Sequence, residues 1–327
     1  MNNIMNIKRF FLVVTALLML CPANAQDRMR VIIDNDFAGD PDGLFALAQL
    51  MRSSSVDVKA IVGSHLHKGE NWTAKGKPSA TTAVANVKAL LKKMGVKESC
   101  AVVEGSNDAL ADTLTPIKTD ATAIIIKEAE RCSAKAPLYV LCGGGLTEIA
   151  SVWLQRPDLA DRITVVWIGG SEYPGFMAPP GSRGGEYNTT IDTKAAQVVF
   201  NRSNLTLWQI PRNAYRQCLM SYSVLRNRIK DANPEASYLV DMLDKHIGKG
   251  KASECYVLGD SPLVLVSALQ SNWERDACSS SYTMRPCPTV DNNGYYHFNN
   301  NRRKIRVYDR LDTYLMFEDM FAKFKGN

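Results

Sequence analysis

The chain has 327 residues, of which 46% are hydrophobic and 22% charged, a composition that is typical of a folded globular protein and excludes a disordered chain or a fibre. The net charge of +6 at pH 7 is mild and no basic stripe stands out, which argues against a nucleic-acid partner. The 8 cysteines include no Cys-x-x-Cys spacing, which argues against a zinc site.

Residues 1–25 have the pattern of a secretory signal peptide. Two basic residues precede the apolar run 10–20, and Ala23-Asn24-Ala25 matches the small-residue cleavage signal. The apolar run is too short to cross a bilayer core of about 30 Å, so we predict no membrane anchor. We expect cleavage after Ala25, export to the periplasm or the medium, and one folded domain over residues 26–327.

Apolar runs rich in β-branched residues then alternate with segments whose apolar spacing is near that of a helix. The predicted strands cover residues 29–33, 56–63, 138–142, 163–168 and 205–210, and the predicted helices cover residues 44–52, 81–94, 147–154 and 195–200. This order predicts an α/β fold with an open, mostly parallel sheet, helices on both faces and a Rossmann-like core. Ligands bind such sheets beyond the carboxyl ends of the strands.

The stretch from Ser253 to Asn301 is richer in Cys, Asn, Ser and Pro than the rest of the chain. We interpret it as loops on the same domain, because these residue types favour turns over regular elements. Export would permit disulfides. Cys278 and Cys287 flank one of these loops, so they are the pair that we would join first.

Four carboxylates follow the first predicted strand, at Asp34, Asp36, Asp40 and Asp42. Unpaired, they would repel one another and raise each other's pKa, and a hard cation such as Ca²⁺ would relieve this. An EF-hand is excluded, because its twelfth position, counted from Asp34, is Phe45. Two hypotheses remain: a phosphatase with an aspartyl nucleophile, and a metal site that activates water and grips a polyol.

Five segments of the chain match a known pattern in order. They are Asp34-Asn35-Asp36 with Asp40-Pro41-Asp42-Gly43, Gly144-Gly145-Leu146-Thr147-Glu148-Ile149-Ala150, Ile168-Gly169-Gly170, Glu186-Tyr187-Asn188, and Gly259-Asp260-Ser261-Pro262. Together they resemble the inosine-uridine nucleoside hydrolase family, over residues 30–321. Each segment alone is weakly specific, whereas five in the family's order, on a matching α/β pattern, are quite specific.

The resemblance implies a nucleoside-hydrolase-like fold and calcium-dependent hydrolysis of the N-glycosidic bond of a ribonucleoside or a related N-glycoside. It also implies a homo-oligomer. Each site residue then receives a role. Asp36 binds Ca²⁺ and acts as the base with Asp34 in support, the other metal ligands are Asp40, Asp42, the backbone carbonyl of Gly143 and Asp260, and the substrate is bound by Asp42, Glu186 and Asn188.

Two positions depart from the family pattern. Gly43 stands where the family has the second aspartate of a pair, so that ligand has to come from a neighbouring aspartate. Gly259 stands where the family often has a histidine that protonates the leaving base. His65 and His67 follow the second predicted strand, and we predict that they replace this catalytic acid, because histidine titrates near neutral pH.

Two alternatives to this function stay open. Gly43 and Gly259 are consistent with a non-catalytic or altered member of the same fold that binds sugars. A metal-dependent phosphatase is the weaker alternative. Release of free sugar, binding of sugar without turnover, and release of phosphate are the outcomes that separate the three hypotheses.

Overall fold

The computed structural model describes residues 28–96, 100–182, 184–248, 253–271 and 280–326. The predicted signal peptide and the predicted partner of Cys287, which is Cys278, lie outside these ranges. Both therefore stay predictions. Among the described residues, none of the helices has the length and apolarity that a membrane crossing requires.

Strands and helices alternate along most of the described chain. The strands are β1 (Met29–Asn35), β2 (Val56–Gly63), β3 (Ala101–Glu104), β4 (Leu138–Cys142), β5 (Ile163–Ile168), β6 (Thr206–Ile210), β7 (Leu219–Ser221), β8 (Cys255–Val257), β9 (Ser281–Pro286), β10 (Thr289–Val290), β11 (Tyr296–His297) and β12 (Lys304–Arg310). The helices are α1 (Asp42–Met51), α2 (Ser79–Met94), α3 (Asp120–Glu130), α4 (Thr147–Gln155), α5 (Tyr187–Ile191), α6 (Thr193–Gln197), α7 (Arg212–Tyr215), α8 (Tyr222–Ile229), α9 (Pro234–Ile247), α10 (Pro262–Ser267) and α11 (Thr313–Lys325).

The central sheet has 8 strands in the order β3-β2-β1-β4-β5-β6-β12-β9. The edge strand β9 runs antiparallel to β12, and every other pairing in this sheet is parallel. All of β5 is buried, as expected of a parallel strand covered on both faces. The predicted α/β fold with an open, mostly parallel sheet is confirmed.

Helices cover both faces of the sheet, because alternate strand residues point to opposite sides. Along β1, Val31 and Ile33 face one core and Ile32 faces the other. The first core is built mainly with α1, α2, α9, α10 and α11, and the second mainly with α3 and α4. Packing on both faces of the sheet therefore fixes the register of each strand, so the carboxyl end of each strand has a defined position.

The order of the strands changes direction at β1, which lies between β2 and β4. The next strand along the chain, β2, pairs with one side of β1, and β4 pairs with the other side. The loops that follow β1 and β4 therefore diverge. Ligands of open α/β sheets bind in the crevice that opens at such a point. Asp36 directly follows β1 and Gly143 directly follows β4, so both lie at this crevice.

The sequence predicted the strands β1, β2, β4, β5 and β6 and the helices α1, α2 and α4 to within two residues of their ends, and it did not predict β3 or α3. The helix predicted at residues 195–200 is α6, which begins at Thr193 and continues as a π turn, Val198–Arg202. The interpretation of residues 253–301 as loops was wrong. This stretch contains α10 and the sheet strand β9, whose backbone is held by pairing with β12 and not by a local apolar pattern.

Candidate active site

A cleft of about 140 Å³ opens at the carboxyl ends of the central strands. Its walls come from the loop between β1 and α1, the ends of β4 and β5, the start of α5, and the segment before α10. The lining residues are Asp36, Gly39, Asp40, Asp42, Leu66, Trp72, Gly143, Ile168, Glu186, Tyr187, Asn188, Tyr215, Gly259 and Asp260. The fold thus brings together seven of the ten predicted site residues, and Asp34, His65 and His67 lie outside this lining.

A larger cavity of about 610 Å³ lies at the opposite edge of the sheet, around the amino ends of β1 and β4. It contains Arg28, Arg30 and Lys135 with a single acid, Asp57. This cavity is at the wrong end of the strands for an α/β active site and lacks the carboxylates. The smaller cleft is therefore the candidate active site.

Three of the carboxylates in the cleft favour their protonated form. Burial, followed by the charges of Asp260 and Asp40, raises the pKa of Asp36 well above its usual value. Burial and the charge of Asp260 likewise raise the pKa of Asp42, and burial raises the pKa of Asp260 to about 8 despite a hydrogen bond from Asn35. The fold thus holds these acids close enough that their charges oppose one another.

The hydrogen bonds of the cluster show which oxygens are already engaged. Asp42 accepts from the backbone N–H of Gly43 at 2.7 Å and from that of Asp260 at 3.1 Å. Asp40 accepts from the hydroxyl of Tyr256. Asp36 and Asp40 are both partly exposed and line the cleft, and Asp40 is engaged by Tyr256, so Asp36 is the acid best placed to meet a bound molecule.

The donor set fits a hard cation, since it consists of carboxylate and carbonyl oxygens. Within the described ranges, no group of three or more His, Cys, Asp or Glu side chains is arranged so that it could hold a metal ion. Asp40 is held by Tyr256, so a cation would have to compete with that phenol. The carboxylates raise one another's pKa values, and a bound cation would lower these pKa values again.

Glu186 and Asn188 form the wall opposite the acidic loop. Glu186 begins α5: its Oε2 accepts from the N–H of Gly170 at 2.7 Å and that of Thr189 at 3.1 Å. Its Oε1 accepts from the hydroxyl of Tyr215 at 3.0 Å. These three hydrogen bonds hold the carboxylate in one orientation at the edge of the cleft.

Asn188 joins the ends of two neighbouring strands. Its Nδ2 donates to the carbonyl of Gly143 at 3.0 Å and to that of Ile168 at 2.8 Å. The Gly143 carbonyl, predicted as a metal ligand, is therefore fixed by the side chain predicted to bind the sugar. Only Oδ1 of Asn188 is left to accept from a ligand hydroxyl.

Asp34 lies beneath the loop and is fully buried. Burial and the charge of Glu148 raise its pKa well above the usual value. Residues two apart in a strand point to the same face, so strand alternation alone would place Asp34 and Asp36 on the same side. The chain leaves β1 after Asn35, and that turn brings Asp36 into the cleft while Asp34 stays under it.

The two predicted catalytic histidines occupy different environments. His65 is buried, with Nδ1 2.7 Å from the Leu66 carbonyl and Nε2 3.0 Å from Oγ1 of Thr147. His67 is partly exposed, and its ring meets that of Tyr187 edge-on with 4.5 Å between centroids. The structure therefore places His65 in the core, away from the cleft, and places His67 one aromatic ring behind the cleft wall.

Sequence analysis missed a rim of aromatic residues. Trp72 lies 5.7 Å from Tyr187 and stacks on His246 at 5.9 Å, and His246 meets Tyr256 edge-on at 5.7 Å. Three tyrosine hydroxyls at the cleft each donate a hydrogen bond to a carboxylate: Tyr187 to Glu70, Tyr215 to Glu186 and Tyr256 to Asp40. Burial and these acids raise the pKa of all three tyrosines. The only signal in the sequence was Tyr187, which lies inside the Glu-Tyr-Asn segment.

Comparison with known proteins identifies the class that this fold and cleft define. A model of the family described as inosine-uridine preferring nucleoside hydrolase matches residues 31–316. The chain therefore belongs to that family.

Particular relatives are more distant. An inosine-uridine preferring nucleoside hydrolase of Leishmania major is 32% identical over 103 residues, which are 31% of each chain. This alignment thus spans about a third of that relative. Among solved structures, a plant nucleoside hydrolase superposes with a TM-score of 0.72 at 16% identity, over 91% of this chain and 99% of the other. A purine-preferring ribonucleoside hydrolase from Gardnerella vaginalis gives 0.69 at 17% identity, over 91% and 98%. At such identities the structures establish the shared fold.

Proposed function

We propose that the protein hydrolyses the N-glycosidic bond of ribonucleosides, or of a related N-glycoside, and depends on Ca²⁺. The observation that carries this proposal is the convergence of Asp36, Asp40 and Asp260 with Glu186 and Asn188 in one cleft. Membership of the nucleoside hydrolase family supports it.

The cation would be held by Asp36, Asp40, Asp42 and Asp260 with the carbonyl oxygen of Gly143. Bound there, Ca²⁺ would offset the repulsion among the carboxylates, orient a sugar diol and lower the pKa of the attacking water. Asp42 holds the backbone of residue 260 through its Oδ2, so it also fixes the distance between the two acidic segments.

Asp36 is the base in this proposal. It lines the cleft and is partly exposed there, so it can accept a proton from a water bound beside the sugar. N-glycoside cleavage passes through a transition state with oxocarbenium-like charge on the sugar. The surrounding carboxylates stabilise that positive charge, which is stronger in the transition state than in the bound substrate.

Glu186 and Asn188 would position the sugar. Glu186 is held by Tyr215 and by the first turn of α5, so a sugar hydroxyl would meet a rigid acceptor. Asn188 has both amide protons directed to carbonyls, which leaves its oxygen to accept from a second hydroxyl. Two fixed acceptors on one wall are suited to recognition of a polyol.

The leaving base needs a proton, and His67 is the better of the two predicted donors. Its ring contacts Tyr187, which lines the cleft, and its Nδ1 lies 3.8 Å from Oε2 of Glu70. Its Nε2 lies 3.1 Å from Oγ1 of Thr190, and the side chain is partly exposed, so a proton can reach it from solvent. His65 has both nitrogens directed to core partners, which suits a structural role.

The test is a panel of nucleosides assayed for free reducing sugar, with protein stripped by a chelator and then supplied with Ca²⁺. We expect sugar release that requires the added cation. Binding of ribose without release would favour the sugar-binding alternative, and release of phosphate from phosphate esters would favour the phosphatase. Sugar release that is unchanged in the stripped protein would contradict the calcium dependence.

A further inference from the structure

Asn35 is a buried amide within the acidic cluster that the family pattern assigns no role. It is 1% exposed, and its Nδ2 donates to Oδ2 of Asp260 at 2.8 Å. The amide is assigned with Nδ2 towards Asp260, so that it can donate to the carboxylate. Asn35 therefore holds the side chain of Asp260, while Asp42 holds the backbone N–H of the same residue.

Two glycines make room for this amide. A Cβ atom on Gly43 would lie 2.8 Å from Nδ2 and 2.9 Å from Oδ1 of Asn35, and one on Gly143 would lie 2.2 Å from Nδ2. Real Cβ atoms do not approach other atoms so closely. Neither glycine has a positive φ, so the backbone conformation does not require glycine at either position. The side chain of Asn35 does.

The contact between Asn35 and position 43 accounts for the glycine that this chain has where the family has an aspartate. The family's aspartate at that place needs a Cβ, and the Cβ would occupy the space of the Asn35 amide. In this backbone a side chain at position 43 would therefore force the Asn35 amide to move away from its bond with Asp260. The neighbouring Asp42 supplies a carboxylate instead, and the amide that fills the vacated space orients Asp260.

We propose that Asn35 is the positioning residue of the metal site, and that Gly43 is glycine because Asn35 occupies the space of the missing carboxylate. The proposal rests on the calcium site of the proposed function. It predicts coupling between positions 35 and 43: an aspartate at 43 is compatible with the fold only when residue 35 is small.

The experiment measures Ca²⁺ affinity by calorimetry on chelator-stripped protein, together with the melting temperature, for the natural chain, Asn35→Ala, Gly43→Asp and the double variant. Loss of a residue that orients a metal ligand costs about 10- to 100-fold in metal affinity, so we expect at least about a tenfold loss for Asn35→Ala. Asn86→Ala is the matched control. It removes an amide that donates to the Phe37 carbonyl in the same loop, at 2.9 Å, and it should leave Ca²⁺ affinity unchanged.

For Gly43→Asp alone we expect failure to fold or loss of Ca²⁺ binding, and the double variant should recover both. A double variant as impaired as Gly43→Asp would overturn the steric relationship. Unchanged Ca²⁺ affinity in Asn35→Ala would overturn the positioning role. If the natural chain binds no Ca²⁺, the calcium part of the proposed function fails together with this proposal, whereas the other two outcomes leave the proposed function intact.

Discussion

The hydroxyl of Tyr215 donates to Oε1 of Glu186 at 3.0 Å, and its ring lies 3.5 Å from a Cβ built on Gly259, in ordinary van der Waals contact. That phenol, unlike a histidine, stays protonated at neutral pH, because burial and the charge of Glu186 raise its pKa. Tyr215 therefore serves to orient a carboxylate.

The first prediction concerns this pair. Tyr215→Phe keeps the ring but removes the bond to Glu186, so the carboxylate loses its orientation towards the sugar. A hydrogen bond to a charged group contributes about 1.5 kcal/mol or more, and we expect KM for a nucleoside to rise by about tenfold. Steady-state kinetics measures this. Tyr173→Phe, which removes a hydroxyl bonded to Gln209 outside the cleft lining, is the control; equal effects in both variants would argue against a role at the sugar.

The second prediction concerns the base. Asp36→Asn keeps size and polarity but removes the charge and the basicity, so kcat should fall by at least about 10²-fold. Because the pKa of Asp36 is raised by burial and by neighbouring acids, its charge destabilises the calcium-free fold. We therefore expect the melting temperature of the stripped variant to be equal to or above that of the natural chain. Near-normal turnover in a folded variant would contradict the role.

The third prediction is a pH dependence of stability. The unfolded pKa of Asp260 is near 3.8 and its folded pKa is about 8. The folded state thus binds more protons within this window, so the stability of the stripped protein should fall as pH rises from about 4 to 8. Asp36 and Asp42 shift in the same direction.

Added Ca²⁺ should oppose this fall, since a cation binds the deprotonated acids and stabilises the state to which it binds. Melting curves at several pH values, with chelator and with Ca²⁺, make the comparison. The Asp260→Asn variant should have a shallower slope in chelator. A stripped protein that becomes steadily more stable from pH 5 to 8 would show that other groups dominate.

The fourth prediction separates the two histidines. His65→Ala leaves the Leu66 carbonyl and the Thr147 hydroxyl without their partner in the core, so unfolding should become easier by about 2 kcal/mol. His67→Ala should leave stability nearly unchanged. It should slow inosine and uridine more than p-nitrophenyl riboside, whose leaving group departs without a proton. Denaturant unfolding measures the stability of both variants, and assays on the nucleosides and on p-nitrophenyl riboside measure their activity. Equal losses on both kinds of substrate in His67→Ala would point to a role in sugar binding.

The sequence could predict the strand ends, because apolar β-branched runs stop where polar loops begin. It could not decide the direction of individual side chains in those loops. Asp34 and Asp36 are two residues apart, as are His65 and His67, yet one member of each pair is buried and the other is partly exposed. Residues outside regular elements follow no fixed period, so their spacing in the sequence does not predict which way a side chain points.

Contacts between distant segments were equally hidden. The hydroxyl of Tyr256 donates to Asp40 from a stretch that composition alone indicated to be loops. The strand β9 in the same stretch follows from pairing with β12. Both depend on long-range geometry, and no local pattern of apolar residues marks either one.

The bond between Asn35 and Asp260 joins residues 225 apart in the chain. Contacts of such long sequence separation form late, because much of the chain must be ordered before the two ends of the loop can meet. The oxygens proposed to bind the cation come from both ends of that loop and, through the carbonyl of Gly143, from its middle, so a partly folded chain holds only some of them. In refolding experiments, recovery of Ca²⁺ affinity should therefore lag behind recovery of helical circular dichroism.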